Sequence, residues 1–402
     1  MMRHKTLMFA VLTSLLIAVP ASVADAKVTD EDVRRAIEKA KEYLLSQQNE
    51  DGSWDETSAG NHDRGITALT MCTLTYIGMH PNRPSISKGI QHLIAKPITA
   101  VYPLSLKIMA LSYVQNKLIG QKRQIVRKAL VSEAQSLYKG QRAGGGWHYG
   151  VPSGSYDFSC TQLAVLGLRE AALAGVEIPA ETFREVQGKY YKEQCDDGGW
   201  TYTVKAAKGA AAMTYAGLAS IYITSDNLML GMGCPYLDAK AREIENVNVS
   251  HMDPALRWVQ KNFSGGGGYA GYALERVGVT SGYKYLGKHD WYREIAESLV
   301  KSQKADGSWG GIINTCFNTM FLYKGRAPVL FNKLQFKGKW RIHRRDIANL
   351  TKYIIRRKEQ PFHWQVVNLD AAVSDLHDAP VLYISTPHAI DLTEEGKRKL
   401  RA

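Results

Sequence analysis

The acids, thiols and imidazoles that could carry chemistry in this 402-residue chain stand far apart. His148, Asp157 and Cys160 are a conceivable zinc trio, since zinc needs thiolate, imidazole or carboxylate donors converging on one ion. Their spacing follows no metal-ligand pattern, and no metal is expected. Asp157 directly precedes the apolar run that starts at Phe158, a position where aspartate is a favoured helix N-cap. Cys160 then reads as a small buried side chain. Glycoside hydrolysis would need two facing carboxylates; Asp63, Asp157 and Glu275 are available, and nothing in the sequence pairs them. Asp196 and Asp197 lie in a turn, and the glycine run "SGGGGY" lacks the Lys and Ser/Thr of a phosphate-binding loop. The cysteines Cys72, Cys160, Cys195, Cys234 and Cys316 are odd in number, widely spread and without a Cys-x-x-Cys pair. That argues against a disulfide scaffold and a zinc ribbon alike.

The residues that do keep a fixed spacing are of another kind. "SQQNEDGSW", "KGQRAGGGW", "KEQCDDGGW" and "KSQKADGSW" each place a glutamine six residues before a tryptophan: Gln48 and Trp54, Gln141 and Trp147, Gln194 and Trp200, Gln303 and Trp309. Self-similarity at a roughly constant period is the signature of a repeat architecture. Upstream of each phrase lies an amphipathic helix pattern; in "DEDVRRAIEKAKEYLLSQQ" the apolar Val33, Ile37, Ala40 and Leu44 fall on one face. Downstream lies a more apolar helix, as in "RGITALTMCTLTYIG" and "GAAAMTYAGLASIYI". Two degenerate copies are marked by Tyr102 and by Tyr269, and the insertion 225–251 accounts for one long gap between copies. Six helix pairs result. They bury their apolar members best in a closed ring with inner helices facing one another. The glutamine amide is expected to satisfy carbonyls left open at the end of an outer helix, and the indole to lie over that amide and the glycine backbone, clamping one pair to the next.

Over roughly residues 30–330 this pattern resembles the repeat of squalene cyclases and protein prenyltransferase β-subunits, an all-α (α/α)6 toroid. "DFSCTQLAVLGL", "YALERVGV" and "LYKGRAPVLFNKLQF" are similar to exported bacterial proteins of the prenyltransferase and squalene oxidase repeat type. The resemblance implies the fold strongly and an activity weakly, because one fold hosts many functions. It implies that inner-helix N-termini line a central cavity. The positions mapping there are His62, Asp63 and Arg64; His148, Tyr149, Asp157 and Cys160; Tyr202 and Lys205; Tyr269, Tyr272, Glu275 and Arg276; and Asn314 and Cys316. Cyclases of the squalene–hopene type protonate their substrate with Asp-x-Asp-Asp, a carboxyl cluster in which one acid holds a proton; this motif is missing. Prenyltransferases hold zinc with an Asp two residues before a Cys, where this chain has Asn314 before Cys316, and an amide is a poor replacement for that carboxylate. The thioester Cys-Gly-Glu-Gln of complement-like toroids is missing too.

The two ends differ from this middle. "MMRHK", the apolar run from Leu7 to Val19 and "ASVADA" read as a secretory signal peptide over residues 1–26, an uncleaved anchor being the other reading. Residues 27–330 are the expected toroid. The formal charge is +13, and from Lys333 to Lys358 Lys337, Lys339, Arg341, Arg344, Arg345, Lys352, Arg356 and Arg357 face one acid, Asp346. Residues 331–360 are expected to form a basic linker, solvated or facing an anionic membrane surface. In 361–402, "PVLYIS" reads as a short buried strand and Thr393 as the N-cap of the last helix. This resembles the start of an uncharacterised glutamine amidotransferase-like α/β domain. One strand and half a helix cannot bury a core, so the segment is expected to be incomplete, cut short by an interrupted reading frame, or else an arm docked on the toroid.

The sequence therefore predicts an exported toroid of the periplasm or cell envelope, acting as a binding or scaffold module for an apolar or isoprenoid small molecule or an envelope protein. Terpenoid cyclase or prenyltransferase activity is the alternative. No cofactor and no nucleic acid are expected. Catalytic residues are not assigned; the candidate ligand contacts are His62, Asp63, His148, Tyr149, Asp157, Cys160, Tyr202, Tyr272 and Glu275.

Overall fold

A computed structural model describes residues 28–55, 64–229, 232 and 237–402. The first helix, α1 (Asp30–Ser46), opens on a capping box in which Thr29 and Asp32 satisfy each other's backbone N–H groups. It buries Val33, Ala36, Ile37, Ala40 and Leu44, the face read from the sequence. Its partner α2 (Gly65–Tyr76) is buried from Ile66 to Thr75, as a helix apolar on all sides must be. The alternation continues through α3 (Pro84–Ile94) and α4 (Val101–Val114), α5 (Gly120–Lys139) and α6 (Phe158–Leu173), α7 (Ala180–Lys192) and α8 (Ala211–Leu228), α9 (Ala239–Lys261) and α10 (Gly268–Ser281), and α11 (Trp291–Ser302) and α12 (Ile312–Gly325). A two-residue hairpin, β1 (Tyr285–Leu286) with β2 (His289–Asp290), precedes α11.

The even-numbered helices pack in series, and α12 returns to α2. The six pairs thus close into a ring with the apolar helices inside. The fold class read from the repeat is the fold observed.

After the ring comes a small α/β unit. Strand β3 (Val329–Gln335) lies between β4 (His363–Asn368) and β5 (Val381–Tyr383), all parallel, with α13 (Asp346–Lys358) as the crossover from β3 to β4. Short α14 (Val373–Leu376) and α15 (Glu394–Arg401) complete it, and Thr393 accepts from the Gly396 N–H as the expected cap. The unit continues the ring's backbone: Val366 donates to the Gly282 carbonyl at 2.7 Å and accepts from the Lys284 N–H at 3.2 Å.

Two expectations are corrected here. Residues 331–360 are not a linker but a buried strand and its crossover helix, so the α/β segment begins at Val329. Lys333 hid the strand; only 1% exposed, it is neutralised by Asp346 Oδ1 at 2.6 Å and the His343 carbonyl at 2.7 Å. "PVLYIS" does hold a strand, but β5 is the sheet edge, with Val381 and Leu382 exposed rather than buried.

Candidate functional site at the mouth of the ring

The repeat phrases build the frame that positions everything else. In each, the Trp indole N–H donates to a carbonyl of its own outer helix: Leu44, Leu137, Tyr190 and Leu299, at 2.6–2.9 Å. The Trp backbone N–H donates to a threonine of the following inner helix, Thr67, Thr161, Thr214 or Thr315. The tryptophan thus fastens turn to pair. The glutamine fastens pair to pair. Gln48, Gln141, Gln194 and Gln303 donate to carbonyls of the next outer helix at Ser85, Thr182, His251 and Ala36. The last of these joins the sixth pair to the first. The turn glycine shares the second task. Gly52, Gly145, Gly198 and Gly307 have φ between 87° and 92°, and a Cβ on any of them would fall within 3 Å of the backbone of Lys88, Glu185, Pro254 or Lys39. Only glycine combines that φ with that approach. Tyr102 and Tyr269, the expected register marks of the degenerate copies, sit instead in the first turns of α4 and α10.

Those first turns form the mouth. Asp157 caps α6, its Oδ1 accepting from the Cys160 N–H and from Ser159 Oγ, both at 2.7 Å. Ser159 in turn accepts from Tyr102 Oη at 2.5 Å. The second oxygen of Asp157 has no hydrogen bond and is fully buried; His148 Nε2 lies 3.9 Å from it, an ion pair when the imidazole is protonated. Tyr149 stacks on Tyr102 at 6.0 Å and its hydroxyl meets that of Tyr202 at 2.8 Å, leaving a half-exposed rim of two phenols and an imidazole. Below the rim Tyr269 donates to Gln162 Oε1 at 2.6 Å. Burial pushes the Cys160 thiol and the Tyr102, Tyr202 and Tyr269 phenols up, so they stay neutral and act as hydrogen-bonding groups rather than nucleophiles.

Of the residues proposed from sequence, His148, Tyr149, Asp157, Cys160 and Tyr202 come together here. His62 and Asp63 lie outside the described residues. Tyr272 and Glu275 sit deeper in α10 in a separate charged cluster. There Glu275 Oε2 is 2.8 Å from Arg276 Nε, and Arg276 donates to Tyr76 Oη and lies over the Tyr272 ring. Burial pushes the Glu275 carboxyl up while Arg276 opposes it. Burial, with Arg276 adding to it, lowers Lys324 to about 8. Arg64 donates to the Lys96 carbonyl, Lys205 pairs with Asp196, and Cys316 lies 3.7 Å from Thr70. Sequence reasoning missed Ser159 and Gln162, which show no motif. Among the described residues no three His, Cys, Asp or Glu side chains converge as a metal site.

A third region lies between ring and α/β unit, a cavity of about 510 Å³ walled by α8, α9 and the segment from Trp340 to Arg356. Part of the basic stretch faces inward here. Asp226 accepts from Arg345 through both oxygens, at 2.8 and 3.1 Å, and from Lys352 at 2.5 Å; Asp253 lies 3.1 Å from Arg341 and 3.6 Å from Arg344. These four cations hold the unit to the ring, while Lys337, Lys339, Arg356, Arg357 and Lys358 are exposed.

Ring and mouth together define an α/α toroid. No protein-family model matches the sequence, and neither does any curated protein. Among solved structures, the chain is similar to an inactive variant of the α-1,6-mannanase of Salegentibacter sp. in complex with α-1,6-mannotriose (TM-score 0.50, 10% identity, 72% of this chain and 98% of that one). It also aligns with the type II terpene cyclase MstE from Scytonema (TM-score 0.48, 12% identity, 74% and 99%). At such identities likeness shows fold alone. Among the described residues no helix is long and apolar enough to cross a membrane.

Proposed function

We propose that the chain is an exported binding or scaffold module of the cell envelope, a rigid ring that docks a ligand or partner at its mouth. The observation carrying this reading is the use made of Asp157. A cyclase of the proton-initiated type needs a carboxylic acid aimed at the substrate; the one described carboxyl at the mouth is a helix cap, with one oxygen bonded to Cys160 and Ser159. The rim of His148, Tyr149 and Tyr202 is suited to contact, offering aromatic faces with polar tips. Export rests on the reading of residues 1–26 alone, and N-terminal sequencing of the secreted protein is expected to begin at Lys27.

One feature favours the alternative, isoprenoid cyclisation. Glu275 is a fully buried carboxyl on an inner helix of the ring, and burial pushes it up while Arg276 opposes the shift. Incubation of the purified chain with squalene and with geranylgeranyl diphosphate tests both readings. The expected result is recovery of unchanged substrate; a cyclised product that disappears in Glu275→Gln or Asp157→Asn would establish the enzyme.

A further inference from the structure

We propose that the cavity between the ring and the α/β unit binds a small amphipathic anion, a carboxylate or phosphate head on an apolar body. This names a second site within the binding-module reading and rests on that reading. Its volume of about 510 Å³ falls in the range of small-molecule sites, roughly 300–1,000 Å³.

Its wall has two characters. One side is apolar and aromatic, with Met229, Val249, Met252, Trp340 and Trp364. The other carries six Lys and Arg against three acids, Asp226, Glu245 and Asp346. Asp226 is already saturated by Arg345 and Lys352, and Asp346 holds Lys333. Asp253, outside the lining, pairs with Arg341 and Arg344, and burial pushes the Glu245 carboxyl up while Arg344 and Arg341 oppose it.

Unsatisfied donors point to the ligand's sign. Tyr222 and Arg344 both line the cavity; the Tyr222 hydroxyl, on a side chain only 4% exposed, and Arg344 Nη1, ion-paired with Asp253 at 3.6 Å, are buried beside it without a hydrogen-bond partner. Buried donors without acceptors are costly and rare, and a guanidinium can only donate. An oxyanion supplies what both lack, and planar guanidinium groups suit carboxylate and phosphate oxygens. The unpartnered Oδ2 of Asp346 is the contrary feature; Lys333, 2.6 Å from its sister oxygen, offsets that charge, which puts the head group on the Arg344 side.

Native mass spectrometry and fluorescence titration of the full chain, with oleate and farnesyl phosphate as probes and inorganic phosphate as control, test the proposal. A one-to-one adduct with either amphiphile, and none with phosphate at the same concentration, is the expected result. Preference for oleate assigns a carboxylate head, preference for farnesyl phosphate a phosphate head. Tyr222→Phe, which removes one oxygen, and Arg344→Ala should each weaken binding about tenfold, at unchanged melting temperature for Tyr222→Phe. Binding of neither amphiphile, or equal binding by wild type and a folded Tyr222→Phe, overturns the site. A chain that turns over isoprenoids yet still takes up the anion would sink the module reading alone; one with no turnover and no uptake would sink this site alone.

Discussion

The ring and the α/β unit are fastened by opposite means. Four joints of the ring use one device, a glutamine amide on the neighbour's carbonyl and a glycine pressed against its backbone, with an indole holding the turn. The α/β unit is joined to the ring by the Val366 backbone bonds to Gly282 and Lys284 and by single side-chain pairs, Arg345 and Lys352 on Asp226, Arg341 on Asp253, and His363 on the Lys324 carbonyl. The first is neutral and repeated at four joints. The side-chain part of the second is mostly charged, and each pair is used once. A ring built this way withstands loss of one polar contact, whereas a unit held by ion pairs responds to charge and pH.

The sharpest break in that contrast is steric. Gly307→Val places a side chain against the Lys39 backbone at φ 87°, and should cost about 3–5 kcal/mol from strain and overpacking together, read as a lowered urea midpoint. Gly144→Val has φ 78° but open space around it, and should lose only the strain of about 1–3 kcal/mol. Equal losses at both sites would deny the close approach its role.

Next comes charge. Asp226→Ala leaves Arg345 and Lys352 facing one another, and should cost about 2 kcal/mol, below the 3–5 kcal/mol of a fully buried pair because Asp226 retains some exposure. Limited proteolysis should then cut within 329–402 while the ring stays intact. Gln303→Ala should cost about 1–2 kcal/mol for the loss of its two hydrogen bonds, to the Ala36 and Gly307 carbonyls, measured by thermal melting.

The pH response separates the two regions without a mutation. His363 donates through Nε2 to the Lys324 carbonyl, and burial followed by the Lys324 and Arg276 charges lowers it from 6.5 to about 3. Between those values the unfolded chain binds a proton that the folded chain does not, so stability falls as pH drops below about 6.5. Melting of the α/β unit should therefore shift down from pH 7 to 5, and His363→Gln should flatten that dependence.

How much of this was legible in the sequence follows the same division. Ile37, Leu44 and the four Gln–Trp spacings disclosed helix faces, pair number and closure, because the ring repeats its instructions. The glutamines' partners were not legible: main-chain carbonyls such as those of Ser85 and Ala36 carry no residue signature. Asp157 was readable as a cap from its place before Phe158 and Ser159 bonds it two residues on, whereas Tyr102 and Tyr269 reach Ser159 and Gln162 only because three helix pairs meet. The strand around Lys333 escaped because its alternation is broken by a buried charge whose partner, Asp346, lies thirteen residues on.

Closure is the claim on which the mouth and the cavity both depend, and backbone hydrogen exchange of α1 in the intact chain tests it most directly. In a closed ring α1 is an interior element, tied to α11 and α12, and its amides from Ile37 to Leu44 should exchange as slowly as those of α7. Gln303→Ala should speed exchange in α1 more than in α7. Fast exchange throughout α1 in the unaltered protein, as at the frayed end of an open solenoid, would contradict the ring.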